Sequence, residues 1–148
     1  MKQLNLQGPI FLVRHAAYAN GPNPGLSECG KEQSLRLAKK IKRSINEAGC
    51  EITIWSSSAN RAVETAQIIR QEMQLAEMIV EEKLWSDNSH REDFEWLKQK
   101  LEGHKGGVLI IVSHFEYVRL FPAEIGFKCN SAGYAEGVKI ENGNCVDF

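Results

Sequence analysis

The sequence predicts an α/β protein, a three-layer α/β/α sandwich with a mostly parallel sheet and a C-terminal antiparallel hairpin. Three observations carry that prediction. Short β-favouring runs alternate with segments of helical periodicity along most of the chain. Two of the runs, Ile10-Phe-Leu-Val13 and Val108-Leu-Ile-Ile-Val112, are apolar without a break, as strands covered on both faces are. Asn142-Gly143 near the end of the chain separates two β-type segments, which is a hairpin signal.

Taken in order, Ile10–Val13 is the first buried strand, followed by a loop holding Gly21, Pro22, Pro24 and Gly25. Ser27 then offers a helix N-cap with acidic Glu28 in the first turn. The spacing of Leu35, Ala38, Ile41, Ile45 and Ala48 predicts a helix that Gly49 stops. Ile52–Trp55 reads as a second strand and Ser56-Ser57-Ser58 as a turn. A helix beginning near Asn60 aligns Ala62, Val63, Ala66, Ile69 and Met73 on one stripe.

Met78–Val80 is a third short strand, running into a polar stretch from Asp87 to Glu92. Phe94, Leu97 and Leu101 mark a third helix with Gly103 near its end, and Val108–Val112 is the clearest buried strand. A short helix over Tyr117–Phe121, ended by Pro122, precedes the hairpin formed by Tyr134–Ile140 and Cys145–Phe148. With no repeat, low-complexity tract or long linker, residues 1–148 are expected to form a single domain.

Composition narrows the function classes. Lys plus Arg number 18 against 19 acidic residues, so no global field draws nucleic acid or an anionic membrane. A charged substrate must then be held by a local basic cluster. The apolar run near the N-terminus is too short for a signal peptide or a membrane span, and the expected compartment is the cytoplasm. Cys29, Cys50, Cys129 and Cys145 form no C-x-x-C pair, and the histidines show no H-E-x-x-H spacing. Free thiols and no metal site are the expectation.

In an open parallel sheet, ligands bind beyond the carboxyl ends of the strands. Arg14-His15 follows the first strand, Arg61 opens the helix after the second, and Ser113-His114 follows the fourth. Two arginines can hold a phosphoryl group through several charge-assisted hydrogen bonds. A neutral imidazole is a competent nucleophile, and a second, if protonated, can hold a phosphoryl oxygen. Backbone N–H groups of the helix starting near Asn60 add further donors. Elsewhere structural roles are expected: His90 as a solvated loop residue, His104 beside a helix end, and Trp55, Trp85 and Trp96 as packing residues. Trp85 lies near the rim of the expected pocket.

These residues also resemble a known family. Phe11-Leu-Val-Arg14-His15-Ala16 is similar to the Arg-His-Gly signature of the histidine phosphatase superfamily, which includes the phosphoglycerate mutases. Gly25–Gln33 resembles its leucine-threonine-x-x-glycine-x-x-glutamine helix opening. Ser56–Ala66, with Arg61 and Thr65-Ala66, resembles its second arginine motif, and Val112-Ser-His114 with Val118-Arg119 its second histidine motif. The matches run in family order from residue 10 to about residue 120, and the short chain is most like the small SixA-type phosphohistidine phosphatases.

The resemblance implies a phosphatase hydrolysing a phosphomonoester or phosphoramidate, in the first place protein phosphohistidine, through a phosphohistidine on His15. Arg14, Arg61 and His114 would be catalytic and hold the phosphate, with Asn20 a further candidate for phosphate binding. No metal or organic cofactor would be needed. The partner would be a phosphorylated substrate, such as a phosphohistidine-bearing protein, with no nucleic acid or membrane partner; the protein itself would be a monomer or weak dimer.

Departures from the pattern matter too. Ala16 and Phe115 stand where the family carries glycine, and Asn20 lies one residue nearer the Arg-His pair than the mutase asparagine. The family's general-acid glutamate falls on Ser86, leaving Asp87 and Glu82 as candidate acids. An alcohol leaving group needs that proton more than imidazole does, which favours a P–N substrate. A small-molecule phosphate ester phosphatase and a non-catalytic phospholigand-binding module remain the alternatives.

Overall fold

The computed structural model describes residues 6, 8–45, 50–104, 106–130 and 133–148. Six strands form one sheet: β1 (Ile10–Arg14), β2 (Ile52–Ser56), β3 (Ile79–Val80), β4 (Val108–Ser113), β5 (Gly137–Glu141) and β6 (Asn144–Asp147). Their order is β3-β2-β4-β1-β5-β6. The first four are mutually parallel, while β5 runs antiparallel to β1 and to β6. The uninterrupted apolar runs occupy the two central positions, where both faces are covered.

Alternation along β1 divides the core between those faces. Phe11 and Val13 pack with Leu37, Ala38 and Ile41 of α1 (Glu28–Ser44) and Ala62, Ala66 and Ile69 of α2 (Asn60–Glu72). Ile10 and Leu12 pack on the other side. There they meet Leu97 and Leu101 of α3 (Phe94–Glu102) and Tyr117, Val118 and Phe121 of α4 (Phe115–Glu124). The three-layer sandwich is therefore the observed architecture. Among the described residues no helix is long and apolar enough to cross a membrane.

Several local expectations hold and others are corrected. Ser27 caps α1 by accepting from the Gly30 N–H at 3.0 Å. A side chain at Gly30 would collide with the Ala17 carbonyl, so glycine lets α1 lie against the loop leaving β1. Leu35 is exposed, because Gly30, Ser34, Leu37, Ala38 and Ile41 define the buried stripe and residue 35 points well away from it. Ala48 and Gly49 lie outside the described residues.

Pro122 does not end its helix. It sits inside α4, which continues to Glu124. A proline in the last turn forfeits only the bond to Val118, and Tyr117, Val118, Phe121 and Pro122 together form the buried stripe. The third strand shrinks to two exposed residues at the sheet edge. Asn142 and Gly143 both have positive φ, as a two-residue type I′ hairpin turn requires. All four cysteines are free thiols; Cys129 and Cys145 face each other at 2.7 Å, and burial followed by the Cys129 thiol pushes Cys145 up.

Candidate active site

Strand register brings the predicted residues to one edge of the sheet. Arg14 stands opposite Ser113, and the His15 N–H donates to the Ser113 carbonyl at 3.0 Å. On the other side of β4 the Ser57 N–H donates to the Val112 carbonyl at 3.0 Å. His15 therefore follows directly on the first strand and His114 on the fourth, and Arg61 enters from the first turn of α2. His114 keeps an extended backbone as the N-cap residue of α4, so its ring faces the sheet edge while the helix begins behind it.

The side chains then bond directly. The Arg61 Nε–H donates to His15 Nε2 at 3.3 Å, and Arg61 Nη2 donates to His114 Nδ1 at 3.4 Å. A guanidinium has no lone pair to offer, so both ring nitrogens act as acceptors. His15 Nδ1 accordingly carries the proton and donates to the Ala16 carbonyl at 2.9 Å. His114 Nε2 donates to Ser57 Oγ at 2.8 Å. The tautomer of His15 leaves the Nε2 lone pair facing the cationic group, where an incoming phosphorus centre would be drawn.

Burial sets the charge state. His15 and His114 are each only 2% exposed and Arg61 9%. Burial first, then the Arg61 and Arg14 guanidiniums, lower His15 to about 3 against its hydrogen bond to the Ala16 carbonyl. Burial is also the main cause for His114, which His15 and Arg61 push down further, well below 6.5. Both rings are therefore neutral at pH 7. A protonated second imidazole is therefore not the resting form; a bound phosphoryl dianion would raise both histidines by supplying negative charge.

This has a consequence for stability. Above pH 6.5 both rings are neutral whether folded or unfolded. Below it the unfolded chain takes up protons that the folded site refuses, so stability falls with pH. The expected slope is up to about 1.4 kcal/mol per pH unit for each histidine between pH 6.5 and 5, before carboxylates contribute. Urea unfolding across that window should show the decline, with a flatter profile in a His15→Asn/His114→Asn variant. Equal slopes in the two proteins would contradict the buried neutral pair.

Around this pair the structure adds partners that local patterns do not disclose. Thr65 Oγ1 accepts from the Ala16 N–H at 3.1 Å and donates to the Arg61 carbonyl at 2.8 Å, tying α2 to the end of β1. Ala16 is buried and lies outside the left-handed region, so its methyl group is accommodated where glycine was expected. Trp85 stacks on His90 with ring centroids 4.1 Å apart and lies parallel to His114 at 6.4 Å. His90 is the exposed loop residue expected, and its Nδ1–H also donates to Asp87 Oδ1 at 2.9 Å.

The candidate acids separate. Asp87 Oδ2 lies 3.9 Å from Arg61 Nη2, which brings it to the edge of the cluster. Partial burial pushes its carboxyl up, but donors from His90, the Ser89 N–H and Trp85 together outweigh that and hold it well below the usual range. Asp87 is therefore ionised at neutral pH, with no proton to donate. Glu82 is exposed in the 3-10 turn Glu82–Leu84, and Asn20 is exposed in the loop after β1. Neither is hydrogen-bonded to His15, Arg61 or His114 in the structure.

Ser86 is buried and donates to Glu116 Oε1 at 2.7 Å, so a carboxylate from the first turn of α4 adjoins the position where the resemblance calls for an acid. Sequence reasoning also passed over Ser57, although it lies in the run after β2; its separation of 57 residues from His114 hides the bond. Among the described residues no group of three or more His, Cys, Asp or Glu side chains is arranged to hold a metal ion.

The fold corresponds to a known class. The sequence pattern of the histidine phosphatase superfamily (branch 1) matches residues 10–86, more than half of the chain. The chain belongs to the histidine phosphatase superfamily. Its fold is similar to that of the protein histidine phosphatase SixA complexed with tungstate, at 19% identity over 95% of this chain and 94% of that one, with TM-score 0.75. The putative phosphohistidine phosphatase SixA from Agrobacterium tumefaciens aligns at 15% identity over 93% of both chains, with TM-score 0.65. Phosphoglycerate mutase from Plasmodium falciparum aligns at 19% identity over 97% of this chain and 90% of that one, with TM-score 0.64. No curated protein sequence matches the chain.

Proposed function

We propose that this protein is a metal-independent phosphatase that removes the phosphoryl group from protein phosphohistidine or a related phosphoramidate. The observation that carries the reading is the His15 Nε2 lone pair, held unprotonated and turned toward the Arg61 guanidinium with His114 on the other side. In the first step Nε2 forms a bond to phosphorus as the substrate P–N bond breaks, and the departing imidazole takes a proton from solvent. Arg14, Arg61 and His114 balance charge on the equatorial oxygens. Water then attacks the phosphohistidine, loses a proton and releases phosphate, restoring His15.

The state of Asp87 favours this leaving group. A carboxylate held ionised by Trp85, His90 and backbone N–H groups is a poor proton donor to an alkoxide. Imidazole departs without such help. The fold it shares with SixA phosphohistidine phosphatases supports the same substrate class.

Three substrates test the reading: a small phosphoramidate, p-nitrophenyl phosphate and an alkyl phosphate, with acid-labile phosphate on the protein measured after rapid quench. We expect phosphoenzyme and turnover with the phosphoramidate, slower turnover of the nitrophenyl ester and very little of the alkyl ester, all unaffected by EDTA. Efficient alkyl phosphate hydrolysis lost in Asp87→Asn or Glu82→Gln would overturn the P–N preference and identify an acid. Phosphate binding without turnover of any of the three would mark a binding module instead.

A further inference from the structure

Among the described residues, the large hydrophobic side chains that remain exposed include three aromatic rings: Tyr18 at 41%, Phe115 at 43% and Tyr134 at 42%. All three lie against the candidate site. The Arg14 guanidinium sits 4.4 Å from the Tyr134 ring centroid and 5.7 Å from that of Phe115. The Arg61 guanidinium is 5.1 Å from Tyr18. The His15 ring contacts Tyr18 at 5.4 Å and Tyr134 at 6.0 Å, and the two tyrosines meet edge to face at 5.9 Å.

The rings arrive from three separate parts of the chain: the loop after β1, the first residue of α4 and the segment before β5. Exposed apolar side chains scattered singly need no explanation, but rings gathered on one edge do. Shielding the arginines accounts for the ring surface turned inward. It does not account for the roughly two-fifths of each residue left open to solvent.

We propose that Tyr18, Phe115 and Tyr134 form a leaving-group subsite that selects phosphoryl groups carried on a flat ring, imidazole or phenyl, over those carried on a saturated chain. The subsite rests on the phosphoryl-transfer reading above. A phosphoryl group gripped by Arg14 and Arg61 must project the group it is bonded to past this rim toward solvent. A planar ring meets the aromatic edges and faces there with favourable quadrupole geometry, whereas a flexible alkyl chain gains less and loses rotamer freedom. The hydroxyl groups of Tyr18 and Tyr134 are not required.

Phenylphosphonate and methylphosphonate test this without turnover, since they share the anionic head and differ only in the ring. By titration calorimetry, phenylphosphonate is expected to bind about tenfold more tightly to the wild type, from one or two aromatic contacts. The preference should fall to about twofold or less in Tyr18→Ala/Tyr134→Ala and persist in Tyr18→Phe/Tyr134→Phe. Equal wild-type affinities, or a preference unchanged in the alanine variant, would overturn the subsite and leave the phosphatase reading standing. Failure of both phosphonates to bind the wild type would overturn both.

Discussion

Replacing His15 by alanine is expected to abolish acid-labile phosphoenzyme and lower turnover on the order of 10⁴-fold or more, since the proposed reaction forms its bond to phosphorus at this ring. Its Nε2 is the nitrogen that faces Arg61, and its Nδ1 is committed to the Ala16 carbonyl. Arg14 and Arg61 remain in the variant, so phosphate and vanadate should still bind. Thermal unfolding and vanadate titration provide the controls, because both report an intact site. Stable phosphate incorporation by the alanine variant would place the nucleophile elsewhere.

The Arg61→Ala variant should lose roughly two to three orders of magnitude in turnover, comparable to removing an oxyanion donor. Arg61 bonds both histidines through two different nitrogens, 3.3 Å from one ring and 3.4 Å from the other. Lysine offers a single ammonium without that fork, so Arg61→Lys should recover little. Removing the cation also removes one cause of the low histidine pKa values. Both rings should then titrate nearer 6.5, though burial keeps them below it. Histidine NMR titrations read that shift independently of rate, and wild-type turnover in Arg61→Ala would exclude it from the site.

How much of this was legible in the chain differs from residue to residue. Ile10–Val13 and Val108–Val112 announce themselves because burial on both faces demands an unbroken apolar run, a requirement met within four or five residues. Ser27 announces its helix because a cap acts within one turn. The grouping of Arg14, His15, Arg61 and His114 was also legible, one step removed. Residues that follow parallel strands must emerge at the same edge, whatever the side chains between them.

Charge state and partnership were not. An isolated imidazole titrates near 6.5, and nothing local to Ser113-His114 says that burial and two cations will keep that ring neutral. His90 sits in a polar stretch, yet Trp85 and Asp87 hold it in place through a stack and a hydrogen bond. Pro122 reads as a stop, but the core contacts of α4 outweigh one missing hydrogen bond.

The chain by itself therefore determined the α/β layering, the element types and the edge at which Arg14, His15, Arg61 and His114 gather, because each follows from burial, capping or strand direction acting over a few residues. Tertiary structure alone decided that Thr65 supports Ala16, that Ser57 orients His114, that Glu116 adjoins Ser86 and that Tyr18 and Tyr134 flank His15. Those pairs join residues brought together by strand register and helix docking, and side-chain partners, desolvation and proton positions exist only once that packing is in place.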